Sequence, residues 1–243
     1  TNEENDALQI ALDEILVLIA ENNFEVGDDF EDIHSKIEAF LIEKTGDAGK
    51  KIHVARSRND QVLVAIQLFE KEYIKVTTEK IINLIEIFLQ KAEELKNNLL
   101  PGYTHFQAAM PSSFGMWFSA YAESLLTDLY FFEAAYKIAD QNPLGSGAGF
   151  GTSFPIDRLQ TTQELGFSEI LVSSVGAQML RGKTEKSVAT ALAMICGTLS
   201  KMSYDLVLYN SQDLAFVKLP NEMTTGSSIM PHKKNPDVFE LTR

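Results

Sequence analysis

Apolar residues recur at helical spacing along the longest uninterrupted segment of the chain, residues 59 to 98. This segment contains neither Gly nor Pro, so nothing in it breaks a helix. At ~1.5 Å per residue, forty residues predict one helical rod of roughly 60 Å. The apolar positions of the pattern are Val62, Ile66, Phe69, Tyr73, Ile81, Leu84, Ile85, Phe88 and Leu95.

Two further segments show the same periodicity, residues 112 to 140 and residues 183 to 216. Both are apolar over more than one narrow stripe, which indicates neighbours on several sides. We therefore predict an all-α fold built as a bundle of long helices. Shorter helices are predicted at 3–22, 32–45 and 156–165, and Gly- or Pro-bearing loops at 99–111, 141–155 and 218–235.

Two local signals qualify this picture. A helix from residue 236 onward is predicted with Asn235 as its N-cap and Pro236 at its first position. The stretch ILVSSV, residues 170 to 175, is rich in β-branched residues and compatible with a strand, but no other segment is predicted to pair with it.

Composition narrows the functional classes. The net charge of −13 argues against a broad nucleic-acid surface or an anionic membrane as partner. A small acidic ligand is still compatible, because a few focused cations can outweigh a distant negative surface. Cys196 is the single cysteine, so no intrachain disulfide can form. Its helical setting predicts that the thiol is buried. No apolar run is predicted to span a bilayer, no signal peptide is predicted, and we expect a cytoplasmic protein.

Three segments concentrate polar chemistry, and the first precedes the longest helix. In KKIHVARSRNDQ, residues 50 to 61, Ser57 and Asp60 fit a capping box. Arg56, Arg58 and Asn59 beside a helix N-terminus also suit an anion. The alternative is a capped helix whose arginines are merely solvated.

The second segment is LPGYTHFQAAMPSSFG, residues 100 to 115. Thr104, His105 and Gln107 form a polar group amid apolar neighbours. His105 is the best acid/base candidate among the histidines, since an imidazole titrates near neutrality. The alternative is a structural loop histidine.

The third segment is TTGSSIMPHKKNPDVFEL, residues 224 to 241. Ser227 lies in a Gly-softened loop, and Lys233 and Asn235 follow before a helix. A serine becomes a base only where cations and backbone dipoles favour its alkoxide, which Lys233 and the helix N-terminus can do. Glu240 is placed to hold a histidine. A Walker phosphate loop is excluded by its spacing.

Two other classes of site are not supported. The glycine-rich GSGAGFG, residues 145 to 151, follows a predicted helix rather than the strand that a dinucleotide-binding turn requires. No His, Asp or Glu cluster has metal-ligand spacing, so we predict no metal site.

Together these motifs resemble the argininosuccinate lyase family of the fumarase/aspartase superfamily. GSSIMPHKKNP matches the superfamily signature GSSxMPxKxNP, while RSRNDQ, GYTHFQ and PLGSGAGFGTSFPIDR resemble the family's own forms. Three places depart from the family pattern. Val54 and Ala55 stand where Thr-Gly is usual, and His232 replaces a frequent Gln. QMLRGKTEK, residues 178 to 186, stands where many members carry a Ser-Glu/Asp-Arg-Asp segment. Family members are longer at both ends.

The resemblance implies a domain plan and an activity. Residues 1–58 would belong to an N-terminal helical domain and residues 59–243 to the central bundle, with a C-terminal domain absent. The activity would be reversible β-elimination of argininosuccinate to arginine and fumarate. Another fumarate-releasing lyase, acting on adenylosuccinate or malate, and a non-catalytic crystallin-like relative are the alternatives.

The resemblance also implies roles for individual residues. Ser227 and His105 would form the acid/base pair, with Ser227 taking the carbon proton and His105, held by Glu240, serving the leaving group; these two roles can be exchanged. Lys233 and Asn235 would bind carboxylates, and the remaining substrate contacts would be Ser57, Arg58, Asn59, Thr104 and Gln107. No cofactor is implied.

Helix length adds an expectation about assembly. If residues 59 to 98 form one straight helix, we predict that the Cα atoms of Arg58 and His105 in one chain are more than ~40 Å apart. A single site that uses both must then draw on separate copies. The resemblance implies a homotetramer with active sites shared between subunits.

Overall fold

The fold is dominated by helices in a computed structural model that describes residues 1–243. The eight α-helices are α1 (Asn2–Ala20), α2 (Ile33–Thr45), α3 (Arg58–Glu94), α4 (Phe114–Ala139), α5 (Arg158–Glu164), α6 (Ser174–Met179), α7 (Lys183–Tyr209) and α8 (Asp237–Thr242). The strands are β1 (Leu99–Thr104), β2 (Gln107–Ser113), β3 (Gln141–Asn142) and β4 (Glu169–Ile170). The helical prediction is confirmed, and α3 is unbroken for 37 residues.

The fold is mostly helical as predicted, and the few strands correct two local expectations. Residues 99–111, predicted as a loop, lie in the antiparallel β1–β2 hairpin, which runs on to Ser113. Ile170 of the ILVSSV stretch does find a partner, because β4 pairs in parallel with β3 at Asn142. The β1–β2 strands are mostly solvent-exposed and lack the inside–outside alternation that predicts a strand, and β3 and β4 have only two residues each, too few to show any alternation.

Several helix ends differ from the prediction, and α3 ends at Glu94 rather than at residue 98. Helix α7 ends at Tyr209 rather than at residue 216, because the chain turns back and the backbone N–H groups of Phe216 and Val217 donate to the Tyr209 carbonyl at 2.8 and 3.1 Å. Helix α8 begins at Asp237, with Pro236 at the cap position and no side-chain capping bond. Asn235 is not the N-cap, since its backbone is used in a bridge to Thr225.

The chain forms two compact units. The first comprises Thr1–Ile66 and Gln141–Arg181, and the second comprises Gln67–Asp140 and Gly182–Arg243. In the first unit, α1 and α2 pack around a small core of Ala11, Ile15, Phe24 and Leu41. Side chains cap both helices at their N-termini, Thr1 in a capping box on α1 and Asp32 on α2.

The second unit is the helical bundle. Parts of α3, α4 and α7 pack together, and small residues such as Ala122, Ala135 and Ala191 lie buried where the helices approach one another. Lys71 and Asp140 form an ion pair with side chains only 5% and 11% exposed. The remaining buried members of this core are Ile74, Ile81, Ile85, Phe88, Leu125, Phe132, Val188, Ile195 and Met202.

Helix α7 departs from the sequence expectations in two respects. By length and composition α7 could cross a membrane, although no apolar run was predicted to span a bilayer. Because Val188, Ile195 and Met202 of α7 lie in the bundle core, one such helix does not indicate a membrane protein. Cys196 is exposed rather than buried, since it faces away from that core.

Candidate active site

The N-terminus of α3 is built as the sequence predicts. Ser57 caps the helix: its Oγ accepts from the Asn59 backbone N–H at 3.3 Å, and its own N–H donates to Asp60 Oδ1 at 2.8 Å. The Asn59 side-chain amide also donates to Ser57 Oγ at 3.3 Å. Asp60 therefore makes the return half of a capping box, whereas Ser57 Oγ accepts from the second helical residue instead of the third, so the cap forms at the predicted residues with one bond displaced.

Arg58 is engaged by acceptors of the first unit. Its guanidinium forms an ion pair with Asp32, donates to Ser35 Oγ at 3.3 Å and lies 3.9 Å from Glu38 Oε2. The Ser35 backbone N–H, and then Arg58, hold the pKa of Asp32 below its ordinary value. The interpretation of Arg58 as merely solvated is therefore too simple, because acidic side chains orient it.

Just before this cap the backbone takes an unusual conformation. Ala55 has φ of +61°, in the left-handed region that glycine enters without steric cost. The family resemblance places Gly at this position, and the structure supplies the physical reason. Ala55 holds the same turn at the expense of local strain.

The glycine-rich segment 145–151 lies directly against the α3 cap. Gly145 and Gly147 donate their backbone N–H groups to Asp60 Oδ2, each at 2.9 Å. Gln178 Nε2 donates to the Gly147 carbonyl at 3.1 Å. The segment follows the two-residue strand β3, and the next helix begins only at Arg158, so the strand–turn–helix of a dinucleotide site is absent.

His105 lies at the tip of the β1–β2 hairpin. Thr104 pairs with Gln107, and the two residues between them, His105 and Phe106, have φ of +53° and +58°. Two positive φ values in a two-residue connection are the pattern of a type I′ turn, which normally takes Asn or Gly. A histidine held in that conformation is strained and exposed, as often occurs at functional sites.

A cavity of about 470 Å³ opens beside this hairpin. It is lined by His105, Tyr103, Tyr204, Asp205 and Tyr209, among others. The carboxylate of Asp205 is a hydrogen-bond acceptor in the wall of this cavity. Burial, and then the Asp205 carboxylate, raise the pKa of Tyr209 above its ordinary value. Asp205 lies in none of the motifs that mark the other candidates, and only its i, i+4 spacing to Tyr209 on α7 hints at a shared face.

The segment 225–235 is a closed loop. At its base Thr225 and Asn235 exchange backbone hydrogen bonds of 3.0 and 2.8 Å, and Thr225 Oγ1 donates to Asp237 Oδ2 at 2.6 Å. Inside the loop, Ser227 Oγ accepts the Met230 backbone N–H at 3.3 Å. The base therefore holds Ser227 and Asn235 on one short ring of backbone.

The positive charge of this loop is not neutralised within the chain. Lys233 is exposed and makes no ion pair, although Glu240 lines the same cavity of about 390 Å³ together with Asn235. An unpaired lysine beside a serine and an asparagine suits a carboxylate ligand. No cluster of three or more His, Cys, Asp or Glu residues suited to a metal ion occurs in the chain.

The predicted residues thus form three groups. Ser57, Arg58 and Asn59 lie together at the α3 cap, Thr104, His105 and Gln107 at the hairpin tip, and Ser227, Lys233, Asn235 and Glu240 around the closed loop. His105 and Glu240 line different cavities, and the predicted contact between them is not made within the chain.

Comparison with known proteins is consistent across the chain. A family model described as lyase matches residues 1–243. Argininosuccinate lyase from Bacteroides fragilis is 52% identical over 243 residues, which are 100% of this chain and 54% of that protein. The same enzyme from Thermotoga neapolitana is 41% identical over 246 aligned residues, covering 100% of this chain and 61% of that protein. The chain spans about half the length of the curated relatives it matches.

Solved structures give the same fold. An EDDS lyase variant with bound fumarate superposes with a TM-score of 0.88 at 26% identity, over 100% of this chain and 48% of that one. A fumarate lyase:delta crystallin from Brucella melitensis, bound to cobalt, superposes with a TM-score of 0.79 over 98% of this chain and 57% of that one. At 24% identity the latter supports the fold alone.

Proposed function

The chain belongs to the lyase family, and from that membership we propose that the full-length protein is a carbon–nitrogen lyase that splits argininosuccinate reversibly into arginine and fumarate. The observation that carries the proposal is the similarity to argininosuccinate lyases along the whole chain. The fumarate held by the structural relative EDDS lyase is the product that we propose here. We expect the reaction to take place in the cytoplasm.

The reaction is a β-elimination. A proton leaves the carbon beside a carboxylate, the C–N bond breaks with its electron pair going to nitrogen, and the nitrogen receives a proton as arginine departs. Negative charge accumulates on the neighbouring carboxylate, where preorganised cations and N–H groups stabilise it. Lys233 and Asn235 take this role in the proposal. No cofactor is required, because the leaving group departs protonated.

Ser227 is the proposed base and His105 the proposed acid. Ser227 removes the carbon proton, since the Met230 N–H and the unpaired Lys233 both favour its alkoxide. His105 protonates the leaving nitrogen, with Glu240 of another copy orienting the ring. Exchanging the two roles gives the same overall reaction.

Several copies must contribute to one site in this proposal. Helix α3 has 37 residues and is about 55 Å long, so one small substrate cannot touch both its ends. His105 and the Ser227 loop line different cavities of one chain. Large apolar side chains on α3 and α4, such as Phe69 and Tyr130, are 68% and 67% exposed and offer surfaces for association. We propose a homotetramer with shared sites.

One assay tests the reaction. Fumarate absorbance is followed with argininosuccinate, adenylosuccinate or malate offered to the full-length protein, and we expect release from argininosuccinate. Release from one of the other substrates alone would replace the proposed substrate, and no release from any would favour a non-catalytic crystallin-like role. Ser227→Ala should lower kcat by about 10²- to 10⁴-fold.

Mixing variants tests the sharing. Ser227→Ala and His105→Ala proteins, each inactive, are unfolded together and refolded at equal amounts. If a site takes Ser227 and His105 from different copies, about a quarter of the sites regain both residues. A mixture without any regained activity would show that one chain supplies both.

A further inference from the structure

Asp60 connects two segments that lie far apart in the sequence. Its side chain is fully buried, at 0% exposure, and accepts three backbone N–H groups. Oδ1 accepts from Ser57 at 2.8 Å, and Oδ2 accepts from Gly145 and Gly147 at 2.9 Å each. One carboxylate therefore joins the cap of α3 to the glycine-rich segment 145–151.

The glycine-rich segment is in turn held from its other side. Arg158 Nε donates to the Leu144 carbonyl at 2.9 Å, and Gln178 Nε2 donates to the Gly147 carbonyl at 3.1 Å. Gly145 and Gly147 have φ of +90° and +60°, and a Cβ on Gly147 would lie 2.9 Å from the Gly151 carbonyl oxygen. The segment therefore has one backbone shape, and that shape points two N–H groups at Asp60.

The geometry assigns Asp60 as a positioning residue. Through the Ser57 N–H, Asp60 anchors the turn that carries Ser57, Arg58 and Asn59. Through the Gly145 and Gly147 N–H groups it fixes the position of that turn relative to the glycine-rich segment. This inference rests on the proposed function, in which those three residues contact the substrate. Asp60 itself is enclosed and has no route to a ligand, so its effect passes through the segment it holds.

An amide cannot replace this carboxylate. All three groups facing Asp60 are donors, while Asn offers one acceptor oxygen and an NH₂ group that would face donors. Asp60→Asn is therefore isosteric but breaks the link on one side. Gly147→Ala breaks the same link from the loop side, because its φ of +60° and the close Gly151 carbonyl force the backbone to move.

The test measures steady-state kinetics and amide hydrogen exchange in the full-length enzyme. For Asp60→Asn and for Gly147→Ala we expect the KM for argininosuccinate to rise roughly 10- to 100-fold, with a smaller fall in kcat, and the amides of Gly145 and Gly147 to exchange faster. The double variant should raise KM by much less than the product of the two single effects, because both changes break one link.

A matched control separates positioning from stability. Asp128 is also buried, at 4% exposure, and accepts from Thr198 Oγ1 at 2.7 Å in the helical bundle. Asp128→Asn should lower the melting temperature and leave the KM unchanged. A wild-type KM in Asp60→Asn, unaltered exchange at Gly145 and Gly147, or multiplicative effects in the double variant would each overturn the assignment. An inactive wild type would instead remove the proposed function, while the exchange measurement still reports on the link.

Discussion

Glu70 on α3 is a buried carboxyl group whose protonation should control stability near neutral pH. Its side chain is 5% exposed, and its Oε2 has no hydrogen-bond partner. Burial, and then the charge of Glu185, raise the pKa of Glu70 from 4.5 to about 7, while a hydrogen bond with Thr184 opposes the shift. The folded protein therefore holds a proton at pH values where the unfolded chain has released it.

The sign of the effect follows from proton binding. Between pH 4.5 and about 7 the folded state binds more protons at Glu70 than the unfolded state, so the free energy of unfolding falls as pH rises through this window. Above about 7 both states are ionised and the loss is complete. The difference between the two pKa values corresponds to about 3 kcal/mol, at ~1.4 kcal/mol per pH unit.

Glu70→Gln removes the titration and keeps the shape of the side chain. We expect the variant to exceed the wild type in the free energy of unfolding by up to about 3 kcal/mol at pH 8, and the difference to vanish near pH 4. The assay is urea unfolding of the full-length protein at fixed concentration from pH 4 to 8.5. Subtracting the two curves removes the titration of all other groups.

A second glutamate on α3 supplies the control. Glu72 is exposed, so Glu72→Gln should leave the pH dependence of the wild type unchanged. The reasoning about Glu70 fails if Glu70→Gln and the wild type lose stability in parallel between pH 5 and 7. It fails equally if the advantage of Glu70→Gln is largest at acid pH.

Two further predictions concern the bundle. Asp205→Ala leaves two donors without their acceptor, the N–H of Trp117 and the hydroxyl of Tyr121, which donate to Asp205 Oδ2 at 2.9 and 2.7 Å. The free energy of unfolding in urea should fall by about 1–3 kcal/mol. The fluorescence emission of Trp117, the single tryptophan, should shift as well. Tyr121→Phe, which removes one donor, should cost less; equal costs would contradict the shared-acceptor argument. Gly115→Ala places a Cβ 2.7 Å from a backbone carbonyl oxygen of α3, so it should lower the free energy of unfolding by about 1–3 kcal/mol. Gly197→Ala has open space around its Cβ and should raise the free energy of unfolding by roughly 0.5–1 kcal/mol, because Ala favours a helix more than Gly does. If Gly115→Ala and Gly197→Ala shift the melting temperature in the same direction, the packing argument is refuted.

Local pattern was enough to predict seven of the eight helices; the six-residue α6 was not predicted. Helix α3 follows from forty residues without a breaker, and its start follows from Ser57 and Asp60, because the capping bonds join residues within four positions of each other. The sequence also marks segments of candidate site residues, since Ser227, His105 and Lys233 stand in short motifs, and their roles stay predictions. Such signals depend only on neighbours along the chain.

The hairpin and the end of α7 were decided by tertiary contacts. The β1–β2 strands are mostly exposed on both faces, so no alternation of apolar and polar residues marks them. Helix α7 stops at Tyr209 because the backbone of Phe216 and Val217 folds back onto it. The residues next to each feature in the sequence therefore give no signal of the strand pairing or of the helix end.

The sequence by itself determined where most of the helices form and which segments carry the candidate site residues. What only the tertiary structure decided is which of those residues meet. Asp60 completes its coordination with Gly145 and Gly147, 85 and 87 residues away, while His105 and Glu240 line separate cavities. The physical reason is that a capping bond or a helical turn spans a few residues, whereas the partners of a buried carboxylate are set by how distant segments pack.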